Sequence, residues 1–307
     1  MLKFQKYGSI ENHYQTKEIA KWLANSPELS KETEFLITEK IHGANIQFIF
    51  NPNNLLQVGK RSGIIGKGLR KEDYFENFYE IGWVIEENTE LLRKIQYYVN
   101  ANNISIKFFG ELFGKSSVSG KSVQKGVDYG EPIRFIFYDA ITLKNPDNPE
   151  YLPNLNSQKE FLELCEDIGI EEKYIIPIIA KVKGFENVLK YNEVFPSKIL
   201  NREDNIAEGF VAKPYDKVYK NALGSVFYIK KKAEKFKEIQ RAKKTPKFIP
   251  TTEIQEAKEK FLTYITKNRL EGIFSKEGKI KSNREIGKFI SLLINDAKED
   301  FLKDNPE

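Results

Sequence analysis

The sequence predicts an α+β protein: a large unit of antiparallel sheets with inserted helices, then a small all-α unit. Short β-branched and aromatic runs recur through the first three-quarters of the 307 residues, without the regular strand-helix alternation of a parallel sheet. Beyond Pro250 the apolar residues change to helical spacing. The charge changes nearby: nine basic residues against Glu234 and Glu238 lie between Lys230 and Lys247, whereas from Phe248 onward eleven basic residues balance eleven acidic ones. The expected units are therefore 1–243 and 244–307.

Strands are predicted over residues 35–39, 44–50, 55–60, 105–110, 134–141, 209–212 and 226–230. Asn51, Pro52, Asn53 and Asn54 supply turn chemistry between the second and third, so 44–60 reads as an antiparallel hairpin. Ser157 with Glu160 three residues on is a capping-box signature. Phe161, Leu162, Leu164, Cys165 and Ile168 follow at helical spacing, and Gly169 is the stop. Cys165 lies on that apolar stripe and reads as core rather than as a reactive thiol. In the second unit, one helix is expected over 252–268 and another from Ser282, with Glu285 in the capping-box position, to Phe301.

Composition removes several classes of function. A single cysteine excludes an internal disulfide framework, and one thiol with two histidines, His13 and His42, gives little for a metal cage. The chain opens on charged and polar residues, and no stretch approaches the roughly 20 apolar residues that span a bilayer. No membrane partner is expected, and a soluble protein of a reducing compartment is. The basic stretch at 230–247 points to a polyanionic partner, its rival being a merely solvated face.

Two apparent phosphate loops fail on spacing. A Walker A loop needs four residues between its first glycine and Gly-Lys-Ser, but Gly110 to Gly114 leaves three and Gly114 to Gly120 leaves five. A sharper feature is Glu39-Lys40-Ile41-His42-Gly43-Ala44-Asn45, a lysine closing an apolar strand with a glycine three residues later. An amine that is partly desolvated among other cations has its charged form disfavoured and can attack an electrophilic phosphorus. The other parts of nucleotidyl transfer follow in order. Lys60-Arg61-Ser62-Gly63 can set a guanidinium against phosphate or sugar oxygens. Glu111 lies just past Phe108-Phe109-Gly110 and suits a ribose hydroxyl. Tyr138-Asp139 ends an apolar run and can stack a ring on a purine. Glu208, before Gly209-Phe210-Val211-Ala212-Lys213, can work with a hard cation. Lys230 and Lys232 alternate on one strand face and can converge on a phosphate.

In that order the segments EKIHGAN, GKRSG, FFGELFG, FIFYDA, EGFVAK and YIKKK resemble the six motifs of the RNA ligase 2 family, which includes bacteriophage RNA ligases and the kinetoplastid RNA-editing ligases. The opening KYGSIENHY, the segment QKGVDYG and the tail pattern YITKNRL are similar to the phage enzymes too, so the likeness covers nearly the whole chain. The resemblance implies a nucleotidyltransferase (ATP-grasp-like ligase adenylation) domain before the helical one. It implies an ATP-dependent RNA ligase that seals 3'-OH/5'-phosphate nicks in duplex RNA through a lysyl-AMP and an RNA-adenylate, with ATP and Mg2+ required. Lys40 would carry the AMP. Glu39 would recognise adenine and Tyr138 stack on it, with Ile41 also among the nucleotide contacts. Glu111 and Arg61 would hold the ribose, Lys230 and Lys232 the phosphate, and Glu208 the metal. His42 would face pyrophosphate, or else be a structural histidine, and Asn45 would bind metal water or the 5'-phosphate end. Lys60, Asp139 and Lys213 complete the set. The expected partner is nicked or broken RNA duplex and the expected state a monomer in the cytoplasm, phage- or virus-encoded proteins in a host cell included.

Thr38 stands where the phage enzyme has an arginine, and the 115–122 loop is longer than in the phage protein, which bears on substrate preference. A DNA ligase or a capping guanylyltransferase shares the lysine chemistry but usually carries aspartate at the position of His42. A non-enzymatic RNA-binding protein would take no covalent label.

Overall fold

The computed structural model describes residues 1–237, 253–282 and 285–306. The expected boundary at 243/244 and the 238–247 part of the basic stretch lie outside the described residues. The chain opens with β1 (Glu11–Asn12), α1 (Thr16–Asn25) and α2 (Glu28–Lys31), then enters β2 (Glu34–Glu39) and the meander β3 (Ala44–Phe50), β4 (Gln57–Lys60) and β5 (Gly63–Lys67). Helices α3 (Ile81–Glu87) and α4 (Thr89–Ala101) precede the long strands β6 (Ile104–Phe113) and β7 (Arg134–Lys144). After β8 (Asn154–Leu155) come α5 (Gln158–Ile168), β9 (Ile178–Lys183), α6 (Phe185–Lys190), β10 (Gly209–Pro214) and β11 (Ile229–Lys232). The C-terminal unit is helical: α7 (Glu253–Leu262), α8 (Lys267–Glu277) and α9 (Ile286–Asp304).

The strands form two sheets, ordered β1-β11-β10-β2-β9 and β5-β4-β3-β6-β7-β8. Every pairing is antiparallel except that of β1 on β11. The larger sheet is apolar on both faces, which is why its strands read as continuous hydrophobic runs. Phe48, Phe108 and Phe137 pack with Ile85, Leu92 and Ile95 of α3 and α4 and with Phe161 and Cys165 of α5. The rings of Phe108 and Phe137 stack at 4.6 Å. Burying one such ring is worth about 2–3 kcal/mol, so these aromatics dominate that core. The opposite face turns Ile49, Phe109 and Ile141 toward Leu2, Tyr7 and Tyr228, joining the two sheets. The smaller sheet packs Phe35, Ile37 and Phe210 against Ile19 of α1 and Phe185 of α6.

The predicted hairpin is present as β3 on β4. Ser157 accepts from the Glu160 amide, the Glu160 carboxylate accepts from the Ser157 amide at 2.7 Å, and Gly169 closes α5 in the left-handed region at φ 71°. The helix expected over 252–268 is instead two. Thr266 accepts from the Arg269 amide at 3.1 Å and starts α8, while Arg269 reaches Asp296 and Asp300 of α9. This cap and ion pair turn the chain back where apolar spacing alone would continue it. The final helix begins at Ile286, and the Glu285 carboxylate accepts from the amide of Lys281 rather than Ser282. Among the described residues no helix is long and apolar enough to cross a membrane.

Candidate active site

A cavity of about 930 Å³ opens between the two sheets and is roofed by α8 and α9. Every residue proposed above for nucleotide or metal lines it except Lys60 and Asp139. Lys40 follows β2, and its amide donates to the Gly209 carbonyl at 2.9 Å, so the lysine is pinned beside the start of β10. Two glycines permit this crowding. A Cβ on Gly43 would lie 2.2 Å from the Leu112 carbonyl oxygen. At Gly209, with φ +140°, it would lie 2.1 Å from that of Lys231.

Glu208 is the electrostatic centre. Its carboxylate, 2% exposed, lies 2.7 Å from Lys40 Nζ, 2.9 Å from Lys232 Nζ and 3.2 Å from His42 Nδ1. Burial alone would raise its pKa, but Lys232, Lys40 and His42 together outweigh burial and hold it well below the usual carboxylate range. It does not pair with Lys213. Glu111 differs: burial outweighs Lys40 and Arg61 and, with Glu208 adding repulsion, pushes its carboxyl up to about 8. Glu39 is also raised by burial, against hydrogen bonds from Ser197 Oγ and the Lys198 amide, each at 2.7 Å.

β7 opposes Phe109 with Asp139 and Gly110 with Phe137, so Tyr138 is the extra residue of a bulge. Its hydroxyl accepts from Asn45 Nδ2 and its ring packs edge-on against Tyr7 at 5.2 Å. Beneath it Asp139 is fully buried and accepts from Tyr7, Gln158 and Lys213, the last at 2.8 Å. Lys213 also donates to the Tyr138 carbonyl. This buried network supports Tyr138 from below, and Asp139 stays out of the cavity. The alternation expected of β11 holds: Lys230 and Lys232 line the cavity, while Lys231 points away to Glu193 and the Leu189 and Tyr191 carbonyls. Arg61, on the β4–β5 turn, lines the cavity. Lys60 turns from it to Glu76 and the Glu277 carbonyl. Ile41 packs with Phe113, Tyr129 and Ile136. Both His42 ring nitrogens face oxygens, of Glu208 and of the Lys125 carbonyl at 3.1 Å. Thr38 is buried, donating to the Val211 carbonyl at 3.3 Å.

Sequence reasoning missed several supports. Tyr129 donates to nothing in the motif but accepts the His42 amide at 2.8 Å through its hydroxyl. Tyr7 and Ser197 brace Tyr138 and Glu39, and Ser275 of α8 donates to the Gly43 carbonyl. Only the likeness of KYGSIENHY and QKGVDYG to the phage enzymes hinted at Tyr7 and Tyr129; nothing local marked the two serines.

Among the described residues no group of three or more acidic, histidine or cysteine side chains could hold a metal ion. Glu208 is already shared by two lysines and the His42 ring, while Asn45 Oδ1 is a buried acceptor without a hydrogen-bond partner. This oxygen-donor set fits a hard cation that takes most of its ligands from phosphate and water, as Mg2+ does.

Comparison with known proteins supports a common origin for this arrangement. The RNA ligase family model matches residues 33–232, and the model named T4 RNA ligase 2 C-terminal matches residues 247–307. Among solved structures, a Naegleria gruberi RNA ligase mutant with ATP and Mn is similar at 17% identity and a TM-score of 0.50, over 77% of this chain and 58% of that one. Another mutant of that ligase, with AMP and Mn, gives 17% and 0.50 over 76% and 57%. The chain thus spans less than three-fifths of the length of these structures, and the likeness is one of fold.

Proposed function

From the premise that the chain belongs to the RNA ligase family, we propose that it is an ATP-dependent RNA ligase working through a lysyl-AMP on Lys40, with nicked duplex RNA as its substrate. The observation that carries this is one lysine amine, Lys40 Nζ, held 2.7 Å from a buried carboxylate in a cavity also lined by Arg61, Lys230 and Lys232. The Naegleria structures with ATP or AMP and Mn support a nucleotide and a divalent ion.

In this mechanism Lys40 leaves Glu208, gives up a proton to solvent and attacks the α-phosphorus as the neutral amine, forming a P–N bond as the bond to pyrophosphate breaks; the second amine proton leaves with the departing pyrophosphate. Lys232 and His42 stay on Glu208, so the buried carboxylate is not stranded when Nζ swings away. Lys230, with Lys232 on the same face, neutralises charge gathering on the phosphate oxygens. Tyr138, fixed by Asn45 and the Asp139 network, offers its ring to the adenine, and Glu39, oriented by Ser197, reads its edge. Arg61 and Glu111 meet the ribose. Glu208 and Asn45 would hold the divalent ion, which when bound screens negative charge on the transferring phosphoryl group. A 5'-phosphate then takes the AMP from Lys40, and the adjoining 3'-hydroxyl displaces AMP to close the strand.

The deciding experiment is incubation with α-labelled ATP and magnesium. An acid-labile adduct is expected on wild type and none on Lys40→Ala; an unlabelled wild type, or a labelled Lys40→Ala, rejects the assignment.

A further inference from the structure

Lys60, which motif order put against the nucleotide, has a different set of partners. Its side chain is 11% exposed, and its ammonium donates to Glu76 Oε1 at 2.7 Å and to the carbonyl of Glu277, the last residue of α8, at 3.2 Å. A helix ends on carbonyls that lack intrahelical partners and carry partial negative charge, so a cation there is favoured. Three further contacts tie the same helix to the first unit. Tyr79 donates to the Phe274 carbonyl at 3.1 Å, Gln124 to that of Glu271 at 3.0 Å, and Ser275 to that of Gly43. The helix is thereby bolted at its end by Lys60 and along its length to the glycine of the Lys40 loop. Gly272, Ser275 and Lys276 of α8, with Asp296, Glu299 and Lys303 of α9, wall the cavity on this side. A volume of about 930 Å³ suits a nucleotide and excludes a duplex.

We propose that Lys60 is a positioning residue, a latch that holds the helical unit closed over Lys40 while nucleotide is bound and that must release to admit RNA. The proposal rests on the ligase reading of the same cavity. It predicts that closure and apparent ATP affinity move together, because only the closed fraction retains the nucleotide.

The test uses the full chain. Spin labels on Tyr97→Cys and Lys298→Cys, both exposed, report the separation of the two units, and the buried Cys165 stays unlabelled. In Lys60→Met the label distance should lengthen. The KM for ATP in Lys40 adenylylation should rise about threefold or more with little change in kcat, the range expected for losing a cation at a helix terminus. Sealing by enzyme that already carries AMP should not fall, and Lys60→Arg should restore both distance and KM. Ser275→Ala, which cuts the bond to Gly43, gives the same readouts where Lys60→Met does not fold. An unchanged distance overturns the latch, as does a raised KM without opening, which would mean that Lys60 touches the nucleotide. A wild type that takes no AMP rejects the ligase reading, and the distance measurement still judges the latch.

Discussion

At the scale of single residues, the site sets two buried carboxyls to opposite behaviour. Glu208 is kept ionised by Lys232 and Lys40, with the His42 ring beside them, whereas burial leaves Glu111 with a pKa of about 8. The folded protein holds a proton on Glu111 that the unfolded chain, near 4.5, has lost, so this group's contribution to stability declines as pH rises from about 4.5 to about 8. Glu111→Gln removes the titration. Its melting temperature relative to wild type should climb between about pH 5 and pH 9, corresponding to a change on the order of a few kcal/mol, and a pH-independent difference in thermal melts would contradict it. Residue roles were legible in sequence to an uneven degree. Lys40, Glu208, Lys230 and Lys232 were found because strand position and alternation fix where their side chains go. Lys60 was not, because its partners are a side chain sixteen residues on and a carbonyl 217 residues away, which no local pattern records.

At the scale of elements, what the sequence shows best is geometry set within a few residues. The Ser157–Glu160 box and the Gly169 stop depend on side chains one turn apart and appear as read. The break before Thr266 depends on Arg269 meeting Asp296 and Asp300 of a later helix, and the periodicity of 252–268 could not reveal it. The bulge that turns Tyr138 toward the cavity is likewise a property of β6 and β7 together. The loop from β2 into β3 is tighter than its sequence suggests, since a methyl on Gly43 would press into the Leu112 carbonyl, a backbone atom that cannot rotate aside. Gly43→Ala should therefore cost about 2–4 kcal/mol in urea unfolding and abolish the AMP adduct. A variant within 0.5 kcal/mol of wild type that still labels would show that the loop can yield (about the scatter of neutral substitutions).

At the scale of the whole molecule, adenylylation of Lys40 and nick sealing, as proposed, place different demands on charge. On the proposed reading, nucleotide would be bound by buried groups at short range, whereas an RNA duplex would meet exposed lysines across a salt-screened surface. Raising salt from about 50 to 200 mM should slow nick sealing by tenfold or more while Lys40 adenylylation changes by less than about threefold. Parallel salt profiles for the two reactions would remove the electrostatic account of RNA binding.

The parallel pairing of β1 with β11 has a consequence for biosynthesis. Glu11 lies beside Ile229 and Asn12 beside Lys230, so the first described strand waits for the last one. Closing so long a loop is slow relative to local hairpins. A nascent chain emerging from the ribosome can build the β3–β4 hairpin early, but it cannot complete the cavity around Lys40 until residue 232 has cleared the exit tunnel, so on the proposed reading truncated translation products would remain inert towards ATP.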